Sequence, residues 1–184
     1  MIRFLYVARS APHKGLSDLL LVLQRLQRTD WRLTVVGAVA EVDVDVVRDV
    51  KLRFGRRITA LGAQPLKRVA DIMRRHDALI VPSRYENFCN VALEALACGL
   101  PVIGVAMGGI RDMVTHGTNG LLFEPRSATA LAAAITWALD HQEQLALMRP
   151  AARRVAKRYS WPVVAEITSE LFLAILRARG RGDP

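Results

Sequence analysis

Short apolar runs recur along the chain, and between them lie longer stretches in which apolar residues return every three or four positions. The first kind reads as buried strand and the second as amphipathic helix. Strands are expected over Ile2–Ala8, Arg32–Gly37, Ile58–Leu61, Ala78–Val81, Val102–Val105 and Leu121–Phe123. Leu16, Leu19, Leu20, Leu23 and Leu26 share one face of a helix over Leu16–Arg28. A second helix is expected over 43–54, with Val44, Val47, Val50 and either Leu52 or Phe54 inward, and a third over Leu66–Arg75. After a short helix within Gly108–Val114 and a turn at Gly117–Gly120, helices should cover Ala128–Leu139 and Glu143–Arg158. The last, capped by Ser160 with Trp161 near its start, should reach about Ala178, leaving residues 178–184 as a frayed tail. Apolar strands alternating with helices through short loops predict an α/β fold, a Rossmann-like parallel sheet of about six strands with helices on both faces.

One unit of this pattern carries most of the chemistry. Ala78–Val81 leads into Pro82–Ser83–Arg84–Tyr85, then a helix over about Val91–Cys98 with Asn90 as N-cap and Gly99 as C′ residue, then Val102–Val105. Such a βαβ unit places a ligand loop at the carboxyl end of a parallel strand. The first amides of the helix, from Asn90 to Leu93, would face that loop with the positive end of the dipole, a site suited to phosphate. Glu86 lies before the helix and Glu94 on its second turn. An ionised carboxylate accepts strong bonds from neighbouring hydroxyls. Two acids around an anion-binding helix start therefore suit a ligand with phosphate in the middle and hydroxylated rings at both ends. Arg9, Lys14, Gly37, Gly62 and Glu86 all fall at carboxyl ends of expected strands, where ligands of such sheets bind.

The stretch from Glu86 to Glu94 resembles the signature of family 4 glycosyltransferases, retaining enzymes of the two-domain GT-B architecture. Val7–Arg9 with His13–Gly15, Leu33–Gly37, Ile58–Gly62, Gly108–Gly109 and Gly117–Gly120 are similar to other segments of that family, in the same order. The resemblance implies a carboxyl-terminal donor-binding domain, one half of a GT-B glycosyltransferase. It places Arg9 and Lys14 on the donor diphosphate, with His13 between them, and Glu86 on a hydroxyl of the sugar, as the catalytic set. Gly37, Phe88, Cys89, Asn90, Val91 and Glu94 are the implied donor-binding residues, Glu94 taking the ribose hydroxyls. Relatives commonly carry Gly where this chain has Cys89, a second Gly where it has Ala38–Ala40, and Pro-Glu where it has Arg111–Asp112.

With 184 residues the chain is expected to be one domain. It holds no counterpart of the family's amino-terminal acceptor domain, so the isolated domain is expected to be inactive alone. Cys89 and Cys98 bracket the helix too far apart for a disulfide. Free thiols in a reducing, cytoplasmic setting are the plain reading, a low-pKa Cys89 nucleophile the sharper one. No run approaches the roughly 20 apolar residues of a membrane span. The net charge is +9, with five cations within Arg149–Arg158 and three more at Arg177, Arg179 and Arg181. A solvated helix face, peripheral contact with an anionic membrane, or nucleic acid would each suit them, although the scarcity of interleaved aromatics counts against the last.

The implied chemistry is transfer of a hexosyl group from a UDP-, GDP- or ADP-sugar to a glycan or lipid-linked acceptor, with retention and without a metal or other cofactor. Arg9, Lys14 and the helix amides would stabilise charge growing on the leaving diphosphate. A nucleotide-sugar epimerase or phosphorylase on the same architecture, and a nucleotide-binding module without turnover, are the other readings.

Overall fold

The computed structural model describes residues 1–9, 11–37, 52 and 54–179. Six parallel strands form one sheet: β1 Ile2–Val7, β2 Trp31–Val36, β3 Ile58–Ala60, β4 Ala78–Val81, β5 Val102–Val105 and β6 Gly120–Phe123. Their spatial order is β3-β2-β1-β4-β5-β6. β4 and β5 are buried at every position and sit inside the sheet, which is why they read as unbroken apolar runs.

The helices are α1 Leu16–Arg25, α2 Leu66–Arg74, α3 Asn90–Ala97, α4 Gly108–Met113, α5 Ala128–Asp140, α6 Gln142–Leu147, α7 Arg149–Ala156 and α8 Trp161–Arg179. On one face of the sheet α1 packs against α5; on the other α3 packs between α2 and α7. The leucine stripe of α1 is buried at Leu19, Leu20 and Leu23, together with Val22. Trp31, Phe4, Leu5, Leu79 and Leu96 lie at the centre of the core.

Several boundaries differ from expectation for local reasons. α1 stops at Arg25, because Gln27 turns left-handed at φ 48° and cannot extend a helix. The helix expected over Glu143–Arg158 is two, α6 and α7, broken at Met148, with Pro150 in the first turn of the second and a 3-10 turn Lys157–Tyr159 at its end. The expected helix over 43–54 lies outside the described residues except at its end, where Phe54 is buried and Leu52 is 79% exposed. α8 runs to Arg179, so 178 and 179 are helical rather than frayed; residues 180–184 lie outside the described part.

No residue of α8 is buried, and Trp161, Ile167, Leu171, Phe172 and Leu176 are exposed along it. Against expectation, the stretch Gln142–Arg179, a succession of helices rather than one, is by length and composition alone apolar enough to cross a membrane, with a mean hydropathy of 1.2 in its most apolar 18 residues. Glu166 and Glu170 sit in α8, and a bilayer core opposes each such charge by roughly 3 kcal/mol.

Candidate functional site

β1 and β4 are neighbours in the sheet. The chain leaving β1 goes on to β2 on one side, and the chain leaving β4 goes on to β5 on the other. At that reversal the loops part and leave a crevice beyond the carboxyl ends of the strands. Arg9 and Lys14 stand on the loop after β1, and Glu86 on the loop after β4, so the reversal brings together residues far apart in sequence.

Backbone clearance decides how closely the two loops meet. Gly15 adopts φ 72°, and a Cβ there would lie 2.0 Å from the Pro82 carbonyl oxygen. The Arg84 amide donates to the His13 carbonyl at 2.7 Å, and the Arg84 guanidinium grips Asp18 of α1 through two bonds of 2.9 Å. Across this clamp Lys14 Nζ donates to Glu86 Oε2 at 2.8 Å, and the side chains are 25% and 10% exposed. Tyr6 adds a hydroxyl bond to the Lys14 carbonyl at 3.3 Å. A pair this sheltered resists removal of either partner, since the other charge is left half-dry and uncompensated.

The start of α3 departs from expectation by one residue. Cys89, not Asn90, is the N-cap, at φ 66° and ψ 70°, and no side chain caps the helix. Entering from a left-handed residue starts the helix earlier, at Asn90. The Ala92 and Leu93 amides are then taken by the Cys89 carbonyl at 3.0 and 3.3 Å, so two of the four amides expected to be open are closed. The amides of Phe88, Cys89, Asn90 and Val91 bond to nothing among the described residues. Successive free amides at a left-handed turn are the type of backbone that can take up an anion.

Cys89 itself is buried, and its thiol is pushed up to about 11 by burial, with the charge of Glu86 adding to it. That overturns the nucleophile reading, which required a depressed thiol. The charges of Glu86, Lys14 and Glu94 all act on this thiol, so the two acids and the lysine surround the start of α3. Glu94 is exposed one turn along, with its carboxyl raised by partial desolvation. Phe88 is 43% exposed, its ring edge-on to Tyr159 at 5.9 Å. Arg9 is exposed and has no ion pair among the described residues. Gly37 is held by packing: its amide donates to the Gly62 carbonyl at 2.9 Å, and a Cβ there would lie 1.8 Å from the Ala8 carbonyl oxygen. The loop of Ala38–Ala40 lies outside the described residues.

Other residues outside the expected site set also shape the crevice. Arg84 and Asp18 give no local signal, being 66 positions apart. Gly108 and Gly109 let the start of α4 press on the loop after β4: a Cβ at Gly108 would be 2.1 Å from the Glu86 carbonyl oxygen, and the Gly109 amide bonds the Asn87 carbonyl at 2.6 Å. Adjacent glycines at a strand-to-helix junction were the available clue. Tyr159 supports Phe88 and donates to the carbonyl of Asp112 at 3.3 Å, joining the loop after β4, α4 and the base of α8.

Residues 2–155 match the model of a family described as glycosyl transferases group 1. The chain is 33% identical over 183 residues to glycogen synthase of Mycobacterium tuberculosis, covering 98% of this chain and 44% of that protein. Among solved structures it resembles sucrose-phosphate synthase from Thermosynechococcus elongatus, with TM-score 0.82, 28% identity and coverage of 96% of this chain and 46% of the other. It also resembles the Anabaena protein HepE solved with UDP-glucose, with TM-score 0.81, 25% identity and coverage of 94% and 49%. The chain spans less than half the length of these proteins.

Proposed function

This chain belongs to the glycosyl transferases group 1 family, and from that premise we propose that it is the donor-binding half of a retaining family 4 hexosyltransferase. The observation that carries the reading is the meeting, at the carboxyl ends of β1 and β4, of the Lys14–Glu86 pair with the free amides of residues 88–91. A nucleotide-diphosphate sugar fits this arrangement in one direction. The distal phosphate lies on the amides of Phe88, Cys89, Asn90 and Val91, with Arg9 and Lys14 beside the diphosphate. The ribose hydroxyls donate to Glu94, an exposed carboxylate whose partial desolvation such partners would offset. A sugar hydroxyl donates to Glu86, which is already oriented by Lys14. Gly37 contributes through the backbone beside the nucleotide.

In this reading negative charge grows on the β-phosphate as the anomeric bond breaks. Lys14, Arg9 and the aligned amides stabilise it in place, with no metal assigned to the step. Glu86 orients the sugar for attack on the face that retains configuration. The acceptor, a glycan or a lipid-linked sugar, is held by a further domain across the crevice, and that geometry supplies the remaining rate. The setting proposed is cytoplasmic, with the basic residues drawing the enzyme towards an anionic inner membrane face. HepE is solved with UDP-glucose, which makes UDP the first nucleotide to try.

Calorimetric titration with UDP, GDP and ADP tests the site. One nucleotide should bind, and both Glu94→Ala and the double variant Arg9→Ala/Lys14→Ala should weaken it by at least about tenfold. Unchanged affinity in folded variants would remove these residues from the donor site. Product with inverted anomeric configuration from the full-length enzyme would remove the retaining assignment.

A further inference from the structure

At the other end of α3 the chain builds a second concave surface. A cleft of about 440 Å3 is lined by Cys98, Gly99, Arg149, Arg153, Arg154 and Lys157, with no carboxylate in its wall. It lies at the amino-terminal edge of the sheet, where Gly99 turns the chain from α3 towards β5, opposite the crevice that holds Lys14 and Glu86.

The charges here are disposed unlike those elsewhere in the molecule. Arg3, Lys14, Arg28, Arg74 and Arg84 each hold a carboxylate. Arg149 is occupied with the carbonyls of Arg74 and His76 at the end of α2. The side chains of Arg153, Arg154 and Lys157 hold no hydrogen bond or ion pair among the described residues. Arg149, Arg153 and Lys157 recur every four positions, so like charges line up along one face of α7 and its C-cap, an arrangement that opposes helix formation. The end of α3 beneath them offers about half a negative charge from its last carbonyls. Arg153 reaches that end, its Nε 3.8 Å from where a Gly99 Cβ would stand. Its charge acts on Cys98, as do those of Arg74, Glu94 and Asp71, yet no carboxylate pairs with Arg153, Arg154 or Lys157 among the described residues.

We propose that this cleft binds a phosphate-bearing ligand, its phosphate gripped by Arg153, Arg154 and Lys157 and its carrier group lying over Cys98 and Gly99. Guanidinium forks match phosphate oxygens two at a time, which a lone ammonium cannot do. The volume lies within the range of small-molecule pockets and leaves room beside the phosphate for a group of glycerol or sugar size. That chemistry comes in two forms, a soluble phosphate ester and the headgroup of an anionic phospholipid. The site is independent of the transferase reading, because none of its residues lines the donor crevice.

The test starts from the Arg9→Ala/Lys14→Ala chain, so that the donor crevice is not counted. Glycerol 3-phosphate is titrated by calorimetry, and binding to phosphatidylcholine vesicles with and without phosphatidylglycerol is followed by sedimentation. Binding of the soluble ester identifies a free phosphate ligand, and binding to the anionic vesicles alone identifies a headgroup. In either case Arg153→Ala/Lys157→Ala should reduce affinity at least about tenfold. Arg177→Ala/Arg179→Ala, which removes the same charge from α8, should leave it within about twofold. No binding of either probe overturns the proposal, as does an equal loss in both double variants, which would mean that net charge alone was being read.

Discussion

At the amino end of α3 a lysine and a glutamate meet, an arginine is clamped to an aspartate, and glycines let neighbouring loops touch through their backbones. At its carboxyl end the cations are as numerous, the glycine has only ordinary contacts around it, and no acid lines the surface. The same residue types thus build two kinds of place. Where cations are paired and backbones interlock, geometry is fixed before any ligand arrives, as positioning chemistry requires. Where they stand unpaired, the field is strong and the shape is loose, which suits capture of an anion more than its transformation.

The glycines separate the two ends most sharply. Gly15 and Gly99 share a left-handed backbone, φ 72° and 70°, but a Cβ would meet the Pro82 carbonyl oxygen at 2.0 Å in the first and the Arg149 carbonyl oxygen at 3.5 Å in the second. Gly99→Ala should therefore cost about 1 kcal/mol from conformation alone. Gly15→Ala must also displace the Pro82 loop and should cost roughly 3 kcal/mol, or a melting point lower by roughly 10 °C. Equal shifts in thermal unfolding would abolish the contrast.

Charge removal gives the next largest difference. Lys14→Ala leaves Glu86, 10% exposed, without its partner, and should lower stability by about 1–2 kcal/mol in urea unfolding. Arg153→Ala should stay within about 0.5 kcal/mol, because relief of repulsion along α7 offsets the lost interaction with the end of α3. A large loss for Arg153→Ala would show that this cation holds the fold rather than awaiting a ligand.

The cleft end also carries the pH dependence. His76, whose carbonyl accepts from Arg149, has its own ring held by the Ile72 carbonyl at 2.7 Å and Thr34 Oγ1 at 2.8 Å. Burial pushes it down from the ordinary value of 6.5, assisted by the charge of Arg3 and opposed by the bond to Ile72 and by Asp77. Asp77 next to it is pushed up by burial, but bonds from the Arg3 side chain and amide hold it below the usual carboxylate range. Between the depressed folded value and 6.5 the unfolded chain binds the extra proton, so stability rises with pH there and is lost as pH falls below about 6.5. Unfolding free energies measured from about pH 7 down to 5 should fall, and His76→Gln should flatten that slope.

The smallest effect is kinetic, and α3 carries a thiol at each end to report it. Cys89 is buried with its thiol pushed up to about 11, while Cys98 is half-buried, with Arg74 and Arg153 pulling against the desolvation that raises it. Iodoacetamide near neutral pH should modify Cys98 well before Cys89, read by mass spectrometry of the peptides. The reverse order would place the open surface at the wrong end.

What could be read in the chain follows the same division. The strands announce themselves because Ala78–Val81 and Val102–Val105 are buried on both faces and need only apolar side chains. That the loops carrying Arg9, Lys14 and Glu86 lie at strand ends follows from parallel topology, which short loops reveal, and of the three only Lys14 and Glu86 are seen in contact. The start of α3 was misplaced because Cys89 takes a conformation that few residues other than glycine adopt, and nothing in its identity says so. The break at Met148 was signalled by Pro150, which suits the first turn of a helix and not its middle. The Arg84–Asp18 clamp and the assembly of α7 against Gly99 are long-range, and charge counted along the sequence has no direction in space.

The sheet has one further property, set by its rims. Its longest strands, β1 and β2, have six residues each and lie inside, whereas the edge strands β3 and β6 have three and four. Beside β3 the Arg57 guanidinium lies over the rings of Trp31 and Phe54 at 5.0 and 5.3 Å and donates to the Arg28 carbonyl, placing a charge at the start of the exposed edge. A rim so short, with a cation at one end, gives an incoming strand few amides to pair with. Growth by strand addition, the route from a native sheet to a fibril, is thereby opposed at both edges.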